Sequence, residues 1–293
     1  MIRGLVFALL ILVLGIGVYR IWWASPKPES AIKKSESSLT SEQKAKVRQF
    51  WAEYRHATRL KLQGNWAEAA LAYQKALKND PEHEDALYYL GNTEFEQRNF
   101  ERAVQAWRKL IRINPHSTRA HIQLATLFSC GVPGSPVDLD LARAELERAL
   151  TVNREAIGTS LKMAEVLLLR GEPNDADPYL HAVLGSDARS VNAHYLQGYR
   201  RWLNRNPDGA LESLETAIRL ATSKQDTGPF VREGDTRPGE SSALATTIRS
   251  AFSAHYSNLR TRPQSDFSRR QSEAEYQMLD KEVSRIRTQW KDR

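Results

Sequence analysis

The sequence predicts an all-α solenoid, a row of stacked helical hairpins placed behind an apolar N-terminal helix. Three observations predict it. A sixteen-residue pattern recurs at an offset of 34 residues, a 21-residue nearly uncharged run opens the chain, and an apolar stripe spaced 3, 4, 3 and 4 lies near its end. Sequence self-similarity at a fixed period of this size is the signature of repeat architectures.

Composition narrows the classes first. The 293 residues are 41% hydrophobic and 26% charged, within the range of ordinary folded proteins. One cysteine, Cys130, excludes an intramolecular disulfide and any cysteine-based zinc site. The net charge of +7 is unevenly spread. Residues 1–49 hold eight Lys/Arg against three Asp/Glu, residues 50–221 hold 21 against 22, and residues 222–293 hold 13 against 10. A nucleic-acid-binding domain concentrates positive charge on a folded surface. Here the excess sits in the flanks, which argues against nucleic acid as a partner.

From Gly4 to Ala24 the only charge is Arg20. At about 1.5 Å per helical residue such a segment spans roughly 30 Å, the thickness of a bilayer core. Arg20 lies one turn from its end, where it can snorkel to the headgroups, beside Tyr19, Trp22 and Trp23 as interfacial aromatics. The reading is a transmembrane signal-anchor over 4–24. A cleaved signal peptide is disfavoured because Ile21-Trp22-Trp23-Ala24 lacks small residues at alternate positions. Topology has two opposing cues. Lys27, Lys33 and Lys34 after the helix favour a cytoplasmic soluble part, whereas the short head of Met-Ile-Arg resembles an export signal. An extracytoplasmic, periplasmic soluble part is the reading taken, with the cytoplasmic orientation as the alternative. Residues 25–49 then read as a tether, Pro-, Lys- and Ser-rich in its first part, with too little apolar surface there to offset its ordering entropy.

The repeats occupy 50–221. Trp66-Ala-Glu-Ala-Ala-Leu-Ala-Tyr-Gln-Lys-Ala-Leu-Lys-Asn-Asp-Pro81 returns as Phe100-Glu-Arg-Ala-Val-Gln-Ala-Trp-Arg-Lys-Leu-Ile-Arg-Ile-Asn-Pro115. This resembles the tetratricopeptide-repeat (TPR) family, whose unit is a 34-residue helix–turn–helix. The resemblance implies five repeats, from Phe50, Glu84, Thr118, Ile157 and Val191. It implies small residues where paired helices cross, filled here by Ala57, Ala69 and Ala76, then Gly91 and Ala103, Ala125, Ala142 and Ala149, Ala164 and Ala176, and Gly198, Ala210 and Ala217. Repeat three departs from the pattern through an insertion at Gly131–Val137, and repeat four lacks the closing proline. Gly64, Gly171, Asn99 and Asn206 fall at the turns within hairpins, where a left-handed residue is convenient.

The resemblance also implies a concave groove lined by the first helix of each pair. Its positions carry over to Trp51, Tyr54, Thr58 and Lys61; Tyr88, Asn92 and Phe95; Arg119, Ile122, Thr126 and Ser129; Leu161, Glu165 and Leu168; and Tyr195, Tyr199 and Trp202. Exposed aromatics of this kind dominate binding energy at protein interfaces. Asn92 offers a donor and an acceptor to an extended backbone. The expected occupant is a partner peptide or helix, with the chain's own C-terminal segment as the alternative. Relatives that clamp a chaperone's C-terminal carboxylate use Lys and Asn from successive repeats. The corresponding positions here are Tyr54, Thr58, Tyr89, Arg119 and Gln123, so that mode is disfavoured.

No catalytic or metal constellation emerges, and the chain is expected not to be an enzyme and to need no cofactor. The seven histidines show no H-E-x-x-H spacing, and the Gly131–Gly134 loop lacks the Lys and Ser/Thr of a phosphate loop. His121 and His194 share one repeat position, which packing explains better than metal binding. Cys130, beside the inserted loop, reads as structural.

Residues 222–241 are rich in Gly, Asp, Thr and Pro and read as a flexible loop. Within the helical segment 242–293, helices are predicted over about 242–260 and 267–291. The second carries the stripe Tyr276, Leu279, Val283, Ile286 and Trp290, suited to a helix partner. A solenoid needs a terminal cap. Docking within the chain is therefore the favoured reading of this segment, and self-association through the stripe the alternative. The whole predicts a membrane-anchored protein–protein interaction scaffold, of a kind that serves assembly or envelope-related complexes. The alternatives are a non-catalytic accessory subunit of an enzyme, or a structural oligomer.

Overall fold

The computed structural model describes residues 40–153, 156–223, 250–259 and 268–293. The anchor (4–24), most of the tether, most of the loop 222–241 and residues 242–249 of the first predicted C-terminal helix lie outside the described residues; residues 250–252 of that prediction are not helical, and the helix runs only Ser253–Leu259. Among the described residues there are twelve helices and no strand, and no helix is long and apolar enough to cross a membrane.

The chain divides into two units, residues 1–49 and 50–293. The described part of the first unit is helical. Helix α1 runs Ser41–Leu62, so residues 41–49, assigned to the tether, are instead helix. The cause is a capping pattern in Thr40-Ser-Glu-Gln43. Thr40 Oγ1 accepts from the Gln43 amide at 3.2 Å, and Gln43 Oε1 accepts from the Thr40 amide at 2.8 Å. An exposed Glu42–Lys46 pair adds support one turn on.

The second unit contains the five hairpins. Helix α1 pairs with α2 (Trp66–Asn79), α3 (Glu84–Glu96) with α4 (Phe100–Ile113), and α5 (Thr118–Ser129) with α6 (Leu139–Val152). Then α7 (Ile157–Arg170) pairs with α8 (Pro173–Ser186), and α9 (Val191–Leu203) with α10 (Pro207–Thr222). The small residues sit at the crossings as the register requires: Ala57, Ala69, Ala76, Ala103, Ala142, Ala149, Ala164, Ala176, Ala210 and Ala217 have no exposed surface. A Cβ on Gly91 would lie 2.2 Å from the Trp107 indole nitrogen, which instead donates to the Tyr88 carbonyl. Close approach, and not turn geometry, selects that glycine.

Two of the four expected turn residues, Gly64 and Gly171, are left-handed, whereas at Asn99 and Asn206 the left-handed position falls one residue earlier. The left-handed positions are Gly64, Arg98, Gly171 and Arg205, each one residue before Asn65, Asn99, Glu172 and Asn206. Asn99 and Asn206 have negative φ and stand at the N-caps of α4 and α10. Asn206 Oδ1 accepts from the Gly209 amide at 3.0 Å. Asparagine serves both turns and caps; Asn206 caps with its side chain, whereas Asn99 makes no side-chain cap bond and donates to Glu94 Oε2 at 2.8 Å.

Two apolar clusters form the core. A small one joins Phe50, Ala57 and Leu60 of α1 to Ala69, Ala72, Tyr73 and Ala76 of α2 and to Ala86. A large one runs from Leu87 through repeats two to five. It continues without a break into α11 (Ser253–Leu259) and α12 (Arg269–Lys291). Helix α12 is N-capped by Ser268, whose side chain and backbone form a reciprocal cap with Gln271.

Candidate functional site: a groove in two parts

The groove-lining positions separate into an open and a closed set. On α1 and α3 most of these side chains remain at least partly accessible, Lys61 and Phe95 being buried. Trp51 is 41% exposed, with Tyr54, Thr58, Tyr88 and Asn92 half-buried. Trp51 stands edge-on to Phe50 and Tyr54 at 5.1 and 5.6 Å, and to the His83 ring at 5.6 Å. These rings hold one another in place while leaving an aromatic wall to solvent. Thr58 Oγ1 lies 3.2 Å from the Tyr73 hydroxyl.

Cations frame the next stretch. The Lys61 ammonium sits 3.5 Å above the Tyr89 ring, and the Arg119 guanidinium 4.7 Å from the Tyr88 centroid. Arg119 also pairs with Asp85 at 2.6 Å. The Tyr88 hydroxyl accepts from Gln123 Nε2 at 2.8 Å. Ile122 is half-buried beside them. Asn92 Oδ1 is buried and accepts no hydrogen bond among the described residues, and such a group costs free energy until a donor meets it.

Towards the C-terminus the same repeat positions are covered, and the cover is the chain's own end. The Tyr195 hydroxyl donates to Glu275 Oε1 at 2.8 Å, and the Tyr199 hydroxyl to Asp280 Oδ1 at 2.7 Å. The Tyr256 hydroxyl donates to Glu165 Oε1 at 2.7 Å, and the Ser250 hydroxyl reaches the same oxygen at 3.2 Å. Lys162 holds the other Glu165 oxygen at 2.8 Å, so this deeply buried carboxylate is satisfied on both sides. Burial, aided by Asp280, raises the Tyr199 phenol's pKa, and burial likewise raises those of Tyr256 and Tyr276. All three therefore remain protonated donors at neutral pH.

Between these bonds lies the apolar stripe. Tyr276, Leu279, Val283 and Ile286 are fully buried on α12, each contributing about 1.5–3 kcal/mol by transfer from water. Trp290, half-buried, lies under the Arg170 guanidinium at 5.0 Å. The C-terminal end of α12 grips the inserted loop: Arg285 donates to the Gly131 carbonyl at 3.0 Å and Gln289 to that of Ser135 at 3.3 Å. Arg287 binds the carbonyls of Leu169 and Leu168 at 2.9 and 3.1 Å.

Several sequence-derived positions are thereby corrected. Tyr195, Tyr199 and Glu165 line the groove but meet α11 and α12 in place of an external partner. Trp202 stacks on Tyr199 at 6.0 Å, and Leu161 is half-buried against the large cluster. Thr126 is buried and returns its hydroxyl to the Ile122 carbonyl. Phe95 belongs to its own hairpin, where it packs on Phe100 and Trp107. The stripe proposed for self-association is likewise spent within the chain.

The titratable groups outside the groove act as braces. His121 Nδ1 lies 2.6 Å from Glu145 and joins α5 to α6, and the bond to Glu145 outweighs burial to raise the ring's pKa. His194 Nε2 lies 2.9 Å from the Ala188 carbonyl. Cys130 is buried, with its thiol hydrogen-bonded to the Leu127 carbonyl and its pKa raised by burial. Among the described residues no group of three His, Cys, Asp or Glu is arranged to hold a metal ion.

A family profile described as tetratricopeptide repeat matches residues 54–118 and 161–224, on either side of the repeat that carries the insertion. No curated protein sequence matches the chain. Among solved structures, a MamA protein aligns at 20% identity over 64% of this chain and 100% of its own, with a TM-score of 0.52. MamA 41-end from Desulfovibrio magneticus RS-1 aligns at 13% identity over 60% and 97%, with a TM-score of 0.52. PilW, a widely conserved type IV pilus biogenesis factor, aligns at 15% identity over 63% and 80%, with a TM-score of 0.51. At these identities the likeness is one of fold. Five hairpins in register, small residues at most of the crossings and the matched profile together make this chain a member of the tetratricopeptide-repeat family.

Proposed function

We propose that this chain is a membrane-anchored interaction scaffold whose open groove on repeats one and two receives a partner peptide or helix. The observation that carries the reading is the division of the groove. One half is filled by the chain's own amphipathic helix, whereas the other leaves Trp51, Tyr54 and Tyr88 at least partly accessible beside the buried, unbonded Asn92 oxygen. The occupied half indicates what the surface accepts, namely an amphipathic segment that sets apolar side chains among tyrosines. Residues 4–24 supply the anchor in this reading, with the repeats on the periplasmic side in an assembly or envelope-related complex.

The test is in-membrane crosslinking of the full chain, with captured proteins identified by mass spectrometry, beside a Trp51→Ala/Tyr88→Ser variant of unchanged helicity. Partners lost from the variant support the groove, and their compartment reports the topology. An unchanged set of partners rules the open groove out.

A further inference from the structure

A second recessed surface lies between the hairpins' outer helices, away from the positions that line the groove. Facing stripes of α2 and α4 border it. Leu77 and Lys78 come from the first, and Arg102, Ala106, Lys109 and Arg112 from the second, spaced 4, 3 and 3 along one helical face. A hollow of about 390 Å³ has an apolar floor of Leu77, Leu87 and Leu90, the last two from α3, and it shares Lys109 with an adjoining hollow of about 520 Å³ lined by Pro81, the exposed Glu82, Arg112 and Ile113. None of the four cations forms an ion pair among the described residues, and Lys78, Arg102 and Arg112 are exposed. The one buried carboxylate in the trough, Glu94, is already bound by Gln74 at 3.1 Å and Asn99 at 2.8 Å. It therefore offers the cations little.

We propose that this trough is a docking site for an acidic amphipathic helix of a partner protein. Leucine-like side chains would fill the floor, and carboxylates a turn or two apart would meet Lys78, Arg102, Lys109 and Arg112. From Arg102 to Arg112, α4 rises about 15 Å, enough for roughly three turns of a docked helix. Unpaired cations around an apolar floor are electrostatically complementary to such a helix and steer its approach. A flat anionic bilayer would reach the rim cations but not the recessed floor, so the shape favours a protein segment. The site is independent of the tyrosine-lined groove and would let one chain hold two partners at once.

The test uses the full chain in phosphatidylcholine nanodiscs and a fluorescein-labelled helical Leu/Glu peptide, followed by anisotropy. Saturable binding is expected, weakened by about tenfold or more in Lys109→Glu/Arg112→Glu, and in milder form in Lys78→Ala/Arg102→Ala. Binding should be unchanged in Trp51→Ala/Tyr88→Ser and absent for a Leu/Lys peptide of equal length. Binding that is absent, or that survives both cation variants, overturns the proposal. So does displacement of the peptide when phosphatidylglycerol is added to the discs, because that outcome assigns the cations to lipid. Loss of binding only in the Trp51/Tyr88 variant would move the peptide to the groove.

Discussion

The Tyr199 hydroxyl and the Asp280 carboxylate, 81 positions apart in sequence, meet at 2.7 Å and fix the end of the chain against the last repeat. Tyr195 and Glu275 make the equivalent bond one turn earlier on both helices, at 2.8 Å.

Tyr195→Phe leaves Glu275, 1% exposed, without its hydroxyl donor. His255 Nδ1 remains 3.3 Å from the same oxygen, so the loss is that of one hydrogen bond to a charged group, about 1.5–3 kcal/mol. Hydrogen exchange should quicken selectively in α11 and α12, with the amides of α1 and α2 unaffected. Uniform quickening across the repeats would refute the assignment.

Gly198 is the tightest point beneath the seam between α9 and α12. A Cβ there would stand 1.9 Å from the Tyr276 hydroxyl and 3.1 Å from the Ala210 carbonyl. Gly198→Ala must therefore eject Tyr276 or spread α9 from α10. The expected loss is about 1–3 kcal/mol, read as a lowered melting temperature, with about half recovered when Tyr276→Phe is added. A variant as stable as the native chain would refute the close approach.

His255 gives the seam a pH dependence. Burial opposes its charged form, but bonds to Glu275 and Glu282 prevail and lift its pKa to about 9. Because the folded value exceeds the ordinary 6.5, the stabilisation is complete below about pH 6.5 and disappears as pH rises through 9. Glu282 behaves oppositely: the hydrogen bond from His255 holds its carboxyl below 4.5, so its contribution fades as pH falls from there. Exchange-protection factors of α12, corrected for intrinsic rate, should pass through a maximum between these limits. His255→Asn should remove the alkaline arm.

Arg98 and Arg205 occupy left-handed backbone at φ 61 and 57, where Gly64 and Gly171 stand in the sister repeats. A side chain in that region costs about 1–2 kcal/mol. Arg98→Gly and Arg205→Gly should each raise stability by about 1 kcal/mol, less the added unfolded-state entropy. Denaturant midpoints test this, and a fall in both would refute it.

The hairpins could be read from sequence because close approach leaves a strict mark. Only Gly fits where Trp107 covers Gly91, and only a small residue fits where Ala69 meets α1, so period and register were legible without structure. The division of the groove was not. Tyr54 and Tyr195 occupy the same repeat position, and nothing local distinguishes the one left open from the one covered by Glu275. The covering contacts join residues 80 or more apart, beyond any periodic signal. Two signals could have been found. Thr40-Ser-Glu-Gln43 is a capping pattern that extends α1 into the stretch assigned to the tether. The insertion at Gly131–Val137 marked a place where repeat three had something besides its neighbours to bind.

That insertion changes how the array comes apart. An ordinary solenoid couples each unit only to the next, so it can fray from either terminus. Here Arg285 and Gln289 reach back 154 positions to Gly131 and Ser135, closing repeats three to five into a loop of mutually dependent contacts. Fraying is therefore one-sided. The C-terminal block opens as a single unit or not at all, while α1 and α2, with their small separate cluster, can loosen on their own. The end of the array nearest the N-terminal segment is the compliant one, so tension applied through residues 1–39 would be absorbed there before it reached the stitched repeats.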